Sequence, residues 1–379
     1  MSTLPRLPLF PRIRPGFAPL LATALLLGAC ATQPAQGQDS SGLTPPTQTP
    51  PVQTPPVQTP PGQAPATTLT PTRLVFSGVK TAVSKPQTLT LVNSGTQSLS
   101  VSAVSIAGPD AAAFVLDAPL RLPLTLEAGK TLTLALRFGP QDKVGVLSAT
   151  LRLETADRPL SLSLAGLSTP GLEGENEPPL AQAVRALGYG TDVCGQLKTP
   201  DCTSKLILGT SAPLLGQEVN AQMFRKAGAG PVTLTPVARY SPAGPLRFGL
   251  FTLQGGSPVP HQIGVVDGRQ YQTLNPALDP LDPAATDNVS FDPGNQNFGV
   301  YTGATEYSRA ADYTLDSLNA SPKKDFNPPV LHAMRVYPLS DEAGARVPGY
   351  LVAVEASSNG DYQDAVFVLT GAEPVSTAP

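Results

Sequence analysis

The chain has 379 residues, and 25 basic against 28 acidic side chains leave a net charge of −3, which excludes a nucleic-acid binder working by bulk positive charge. Its 44 prolines are about 12% of the residues, against a usual share near 5%, and with 34 glycines they exclude a helical bundle. Three cysteines and no tryptophan narrow the chemistry further.

Arg6, Arg12 and Arg14 precede an apolar run from Phe17 to Leu27, too short to span a bilayer as a permanent helix. The run ends in Leu27-Gly28-Ala29-Cys30, which resembles the lipobox of bacterial lipoproteins. That resemblance implies a signal peptide over residues 1–30, cut before Cys30, whose thiol receives a diacylglycerol. The partner at this end is membrane lipid, and several acyl chains hold a protein far better than one, at about 0.8 kcal/mol per buried methylene. The expected location is the bacterial cell membrane or outer membrane, lipid-anchored and facing away from the cytoplasm. Ala31, in place of the Asp that retains some lipoproteins at the inner membrane, leans toward an outer surface.

Residues 31–70 read as a Pro/Gln/Thr-rich disordered stalk. From Pro45 the text runs PPTQT, PPVQT, PPVQT, PPGQA, with almost no charge and nothing to bury. Paired prolines favour polyproline II, rising about 3.1 Å per residue.

Strict alternation begins at Pro71 and continues to Ser168. Leu132, Leu134, Leu136 and Phe138 fall on one face of TLTLALRF, and the same period recurs at Leu151 and Leu153 and at Leu160, Leu162 and Leu164. Asn93-Ser94-Gly95, Ala128-Gly129-Lys130 and Gly139-Pro140 supply turns between short strands, which predicts a two-sheet sandwich. The segments VNSGTQSLSVSAVSIAGPDAAAFVL, PLTLEAGKTLTLALRFGP, SATLRLET and SLSLAG resemble the Hydin/ASPM-type (choice-of-anchor D-like) immunoglobulin-like domain, a type related to major sperm protein. Asn93, Gly95 and Gly129 match turns of that family, and Pro140 matches a strand end. Its implied role is scaffolding. Residues 71–168 hold no His, Cys, Tyr, Trp or Met, so side chains able to act as base, nucleophile or stacking platform are scarce there.

A Gly, Glu and Pro-containing segment, 169–179, reads as a hinge, followed by a β-rich domain over 180–372 and a tail over 373–379. Pro178 and Pro179 start one short helix, Leu180, Val184 and Leu187 give it an apolar face, and Gly188 stops it. Strands are expected at 231–238, 247–253, 262–266, 297–301, 333–337, 350–355 and 365–369. The fold class is therefore mainly β: an immunoglobulin-like β-sandwich followed by a second β-sandwich-like domain with one short helix. Cys194 and Cys202, with seven residues between them, read as a disulfide in an oxidising compartment, since no His or further Cys lies close enough to complete a metal set.

All nine tyrosines, both histidines and 21 of the 28 acidic residues lie beyond residue 168, so function is sought there. YLVAVEASSNGDYQDAVFVL, over 350–369, resembles the C-terminal hallmark of a bacterial extracellular domain of unknown function, with Gln363 where relatives commonly carry Asn. FDPGNQNFGVY and MRVYPL look like companion motifs of that region. Two readings of its N-G-D-Y-x-D core stay open. It is a tight Asn-Gly hairpin turn with Asp caps, or Glu355, Asn359, Asp361 and Asp364, completed by Asp292, offer calcium the oxygen ligands it prefers. Tyr301, Tyr307 and Tyr313 likewise either stack on a sugar ring or anchor a protein contact, or fill strand faces. There is no G-x-S-x-G elbow, H-E-x-x-H pair or P-loop, and no catalytic residue is nominated. His261 and His332 stand alone in sequence. The expectation is a non-catalytic envelope lipoprotein that binds envelope polysaccharide or a neighbouring surface protein. The alternatives are a purely structural component or a glycoside hydrolase.

Overall fold

The computed structural model describes residues 67–195, 214–279, 289–305, 308, 310–320, 329–357 and 359–375. Cys30, most of the expected stalk, Cys202 and Tyr307 lie outside them. Among the described residues no helix is long and apolar enough to cross a membrane.

The first sandwich contains β1 (Thr67–Thr70), β2 (Arg73–Val79), β3 (Gln87–Asn93), β4 (Leu99–Ala107), β5 (Phe114–Leu116), β6 (Leu124–Leu126), β7 (Thr131–Phe138), β8 (Gly145–Thr155) and β9 (Leu160–Thr169). One sheet has the order β1-β3-β7-β5 and the other β2-β9-β8-β4-β6, with β2 and β9 parallel and the other pairings antiparallel. This is an immunoglobulin-like β domain. It opens at Thr67, inside the stretch read as spacer, because Thr67–Thr70 pairs with β3. Asn93 closes the expected turn: its buried side-chain amide donates to the Gln97 and Leu126 carbonyls, and its Oδ1 accepts from Gly95 N. Phe76, Phe114 and Phe138 meet in the core with ring centroids 5.2–6.1 Å apart. A Cβ built on Gly166 would lie 2.2 Å from the Phe138 ring, so β9 carries glycine where that ring crosses it.

Alternation in β9 stops halfway. Leu160, Leu162 and Leu164 alternate with exposed serines, whereas every residue from Ala165 to Thr169 is buried. In β2, Leu74, Val75 and Phe76 are all buried in succession. A strand covered on both faces loses its period of two, and the second cover here is α1 (Leu180–Leu187). Val75 and Leu167 share a core with Leu180, Ala183 and Val184 of the helix and with Tyr240, Leu274, Tyr337, Leu351 and Val366 of the second domain. Eight residues make a helix that is marginal alone; here it is held by burial on two sides. Gly188 ends it in the left-handed region, φ 90°.

The second domain adds β10 (Phe224–Lys226), β11 (Val232–Tyr240), β12 (Leu246–Gln254), β13 (Ser257–Val266), β14 (Gln272–Leu274), β15 (Ser290–Phe291), β16 (Gly299–Thr302), β17 (Asp312–Tyr313), β18 (Met334–Ser340), β19 (Arg346–Val354), β20 (Ala365–Thr370) and β21 (Ala372–Pro374). Its main sheet runs β14-β11-β20-β19-β18, with β15 beside β11; a second sheet runs β13-β12-β16-β17, and β10 pairs with β21. Phe248 of β12 and Phe367 of β20 meet between the two, centroids 5.1 Å apart. Each expected strand is found.

The segment read as a hinge is built into this body. Thr169 is buried at the end of β9, and Glu177 accepts a 2.6 Å hydrogen bond from Gln272 Nε2. Ser77 Oγ of β2 accepts from Leu274 N of β14 at 2.7 Å. The segment read as a tail begins inside β21, and Val375 N donates to Met223 O.

His332 is not a lone histidine in space. Its Nε2 lies 2.7 Å from Glu218 Oε1 and its Nδ1 3.1 Å from both Asp316 carboxylate oxygens. Arg335, fully buried, donates to Glu218 Oε2, and Leu215 N donates to the same oxygen. Burial alone would lower the imidazole, but hydrogen bonds and charge from Asp316 and Glu218 raise it to about 9. A folded-state value above the unfolded one, near 6.5, means stability that is complete below pH 6.5 and lost as pH rises through 9.

The packing generates three expected outcomes. Gly166→Ala forces an overlap with Phe138 and lowers stability by about 1–3 kcal/mol in urea unfolding, and Phe138→Leu in the same chain restores part of that loss. Glu218→Gln strands the buried Arg335 charge and costs about 3–5 kcal/mol. The wild-type melting temperature falls between pH 6.5 and 9, and His332→Gln removes that part of the slope when melting is followed across the range.

Candidate functional site: the loop between the last two long strands

The last register pair of β19 and β20 is Val354↔Ala365, which leaves the ten residues 355–364 as their connection. A two-residue Asn-Gly turn is thus not what joins them. Two carboxylates organise the loop instead. Glu355, fully buried, accepts at Oε2 from the backbone N–H groups of Gly360 (2.8 Å), Asp361 (2.9 Å) and Tyr362 (3.3 Å), and at Oε1 from Ser357 Oγ (2.9 Å). Asp364 Oδ2 accepts from Ala356 N (2.7 Å) and Ser357 N (3.2 Å). Buried N–H groups need partners, and these carboxylates reach them because the loop folds back over its own start.

Gly360 and Tyr362 adopt positive φ, 81° and 56°. The second is unusual for a bulky residue. Tyr362 is held there from outside the loop: its hydroxyl donates to His332 O at 2.7 Å, and the Arg335 guanidinium lies 4.6 Å from its ring centroid. The structural charge network therefore braces the loop from below.

Asp361 is used differently. Its Oδ2 accepts from Asn359 Nδ2 at 2.5 Å, while its Oδ1 is buried without a hydrogen-bond partner. Burial, then the charge of Glu355, raises its carboxyl to about 6. Asp364 is pushed well above the carboxylate range by burial and by the fields of Glu355 and Asp361. Glu177, arriving from the segment before α1, is raised to about 7, mainly by burial, with Asp361, Glu173 and Glu355 adding to it. Gln363 Nε2 is 3.4 Å from Glu177 Oε2.

Above this cluster lies a cavity of about 500 Å³. Glu177, Arg239, Asn359 and Asp364 face it, and Leu246 and Val354 are among its apolar walls. Arg239, 2% exposed, donates through Nε to Ser241 Oγ and through Nη2 to Pro242 O, each at 2.9 Å, while its Nη1 has no partner. Burial lowers this guanidinium to about 10, against the opposing charges of Asp364 and Asp267. Cavities of this size with a few convergent polar groups are the usual form of small-ligand sites.

Of the residues singled out in the sequence, Glu355, Asn359, Asp361 and Asp364 come together. Asp292 does not join them. It is exposed, pairs with Lys226 Nζ at 2.8 Å and accepts from Gly294 N. Its neighbour Phe291 pairs with Val232 beside the Thr233↔Thr370 end of β20, whereas Asp364 precedes the opposite end. Tyr301 and Tyr313 form no open platform. They are cross-strand partners with centroids 6.3 Å apart, packed with Phe251 and Met223. Tyr307 lies outside the described residues, but Thr302 and Thr305 of the same segment line the cavity. Cys194 is half-buried beside the α1 core, and the pairing expected with Cys202 falls on residues not described.

Sequence reasoning missed Glu177 and Arg239. Glu177 stands among prolines and glutamates that read as linker, and Arg239 sits in a strand text, PVARY, where an arginine normally points to solvent.

No protein-family model and no curated protein matches the chain. Solved structures to which it is similar include the ASH / PapD-like domain 7 of human CEP192, at 18% identity and TM-score 0.22, covering 36% of this chain and 99% of that one. WR4, a C. elegans MSP family member, is similar at 8% identity and TM-score 0.20, covering 27% and 97%. The YadV chaperone is similar at 11% identity and TM-score 0.23, covering 70% and 96%. Likenesses of this strength carry no functional argument; the immunoglobulin-like β fold rests on the sheets themselves.

Proposed function

We propose that this is a lipid-anchored envelope protein whose C-terminal domain binds a saccharide unit of envelope polysaccharide, without turnover, in the cavity over the 355–364 loop. The observation that carries the reading is the cavity's mixed polar equipment. Arg239 supplies an unused donor, Asp364 and Glu177 supply acceptors, and Asn359 supplies both. Sugar hydroxyls are donors and acceptors at once, and their C–H faces suit apolar walls such as Leu246 and Val354. A recess of about 500 Å³ favours a small ligand over the flat contact of a neighbouring surface protein. The commitment of Glu355 and Asp364 to backbone amides supports holding rather than reacting. The leader text and Cys30 support the anchor, and the proline repeat supports a stalk between anchor and binding domain.

Two measurements test it. Cells fed a labelled fatty acid incorporate label into the mature chain, and Cys30→Ser abolishes it; equal labelling of both sinks the anchor. Calorimetric titration of the mature chain with purified envelope oligosaccharides, in calcium and in chelator, gives a binding isotherm that Arg239→Met weakens at least about tenfold, the worth of one charged hydrogen bond, and Asn359→Ala weakens several-fold. Absence of heat with every oligosaccharide class, from protein shown to be folded, sinks the ligand assignment.

A further inference from the structure

We infer that Asn359–Gly360 is a self-modification site: the 355–364 loop is arranged to close the Asn359 side chain onto the Gly360 nitrogen as a succinimide, which water then opens to aspartate or isoaspartate. The chemistry is confined to the chain and depends on no ligand in the cavity.

Asn359–Gly360 is the single Asn-Gly pair in the chain. Ring closure needs the Gly360 backbone nitrogen to attack the Asn359 side-chain carbonyl carbon, and glycine puts no Cβ beside that nitrogen. Three contacts meet the needs of the step. Glu355 Oε2 accepts the Gly360 N–H at 2.8 Å, which is where a general base must stand. Asn359 Nδ2, the leaving nitrogen, lies 2.5 Å from Asp361 Oδ2. Asp361 N is 3.4 Å from Asn359 Oδ1, the oxygen on which negative charge develops as the nitrogen adds. The same N–H is 2.9 Å from Glu355 Oε2, so one peptide group holds both the base and the carbonyl. The side-chain amide has one favourable orientation, because turning it over would set Oδ1 against the Asp361 carboxylate.

Water is the sole co-reactant. The bond from Gly360 N to Asn359 Cγ forms, the N–H proton passes to Glu355, and the carbonyl electrons move onto Oδ1. When the carbonyl re-forms, the Cγ–Nδ2 bond breaks. The departing nitrogen, by then an amine, takes a proton from Asp361 and leaves as ammonia, and the proton held by Glu355 restores Asp361. Water then adds to either ring carbonyl and breaks one of its bonds to nitrogen, giving aspartate or isoaspartate. Asp361 has a proton to give: burial, then the charge of Glu355, raises its carboxyl to about 6, so a fraction of molecules hold it near neutrality. Its Oδ1 has no hydrogen-bond partner, so this carboxyl is not tied to capping the backbone. Asn359 lines the cavity of about 500 Å³, which admits water and releases ammonia. Conversion replaces a neutral amide on that wall with a carboxylate.

An Asn-Gly pair in an unfolded chain reacts without help, so the test is whether the fold accelerates it. The mature chain is incubated near neutral pH, native and in urea, and peptide mass spectrometry follows the segment that holds Asn359. Loss of one ammonia, then gain of one water, reports the two steps, and isoaspartate among the products marks the ring. Native conversion is at least about tenfold faster than conversion in urea, and Glu355→Gln and Asp361→Asn each slow it by about tenfold or more, as loss of a general base or acid requires. Both variants are checked for native circular dichroism. Asp361→Asn leaves the Glu355 and Asp364 caps in place and carries the test alone if Glu355→Gln fails to fold. A native rate no faster than the rate in urea overturns the inference. So does an unchanged rate in either folded variant. Because the readout is the mass of one peptide, failure here is separable from failure of saccharide binding.

Discussion

Burial of α1 from two sides is the constraint on which the rest of this structure depends. Ala183 and Val184 have essentially no surface left, and the walls that cover them come from β2 and β9 of the first sandwich and from the main sheet of the second domain. The two sandwiches consequently share one core. The segment between β9 and α1 is drawn across the second domain, which brings Glu177 beside Gln272 and Gln363. Without that shared core Glu177 would be a solvated carboxylate on a linker; with it, Glu177 forms part of a cavity wall.

Two groups of buried charge sit close together and are resolved in opposite ways. Around Glu218, the carboxylates face Arg335 and a histidine held protonated, so charge is matched by charge and nearly every lone pair is used. Such a set holds local structure: it fixes Tyr362 through the His332 carbonyl and the Arg335 cation. In the loop above, Glu177, Glu355, Asp361 and Asp364 converge, with Arg239 and Arg247 in the cavity lining, and acceptors remain over. The matched set braces the unmatched one. Low dielectric makes a fully satisfied network rigid and a partly satisfied one demanding, which is why the second group reads as the place where a ligand completes the structure.

The tyrosines show how residue type misleads when separated from packing. Tyr301 and Tyr313 are adjacent across a strand pair, close enough to cover each other and Phe251. A ring face laid against another aromatic is not open to a sugar. The polar residues that follow Tyr301 reach the cavity instead.

Much was legible before folding because the relevant rules are local. The period of two marked the strands, and Gly188 marked the helix end. The double cover on the first sandwich was not legible there: residues 71–168 read as strictly alternating, and the unbroken Leu74-Val75-Phe76 and the phase slip from Leu164 to Leu167 gain their meaning only from the helix packed on them. The acidic loop was visible, since four of its residues fall within ten positions. What only the tertiary structure decided was which distant side chains join them. Asp292 was excluded because β20 is long enough to hold it at the far end. Glu177 and Arg239 were included because a linker is pinned by a shared core and an arginine on an inner strand has no solvent to reach. Proximity along the chain constrains neighbours within a few residues. Proximity across sheets follows from register and from which faces are buried, and those are properties of the assembled core.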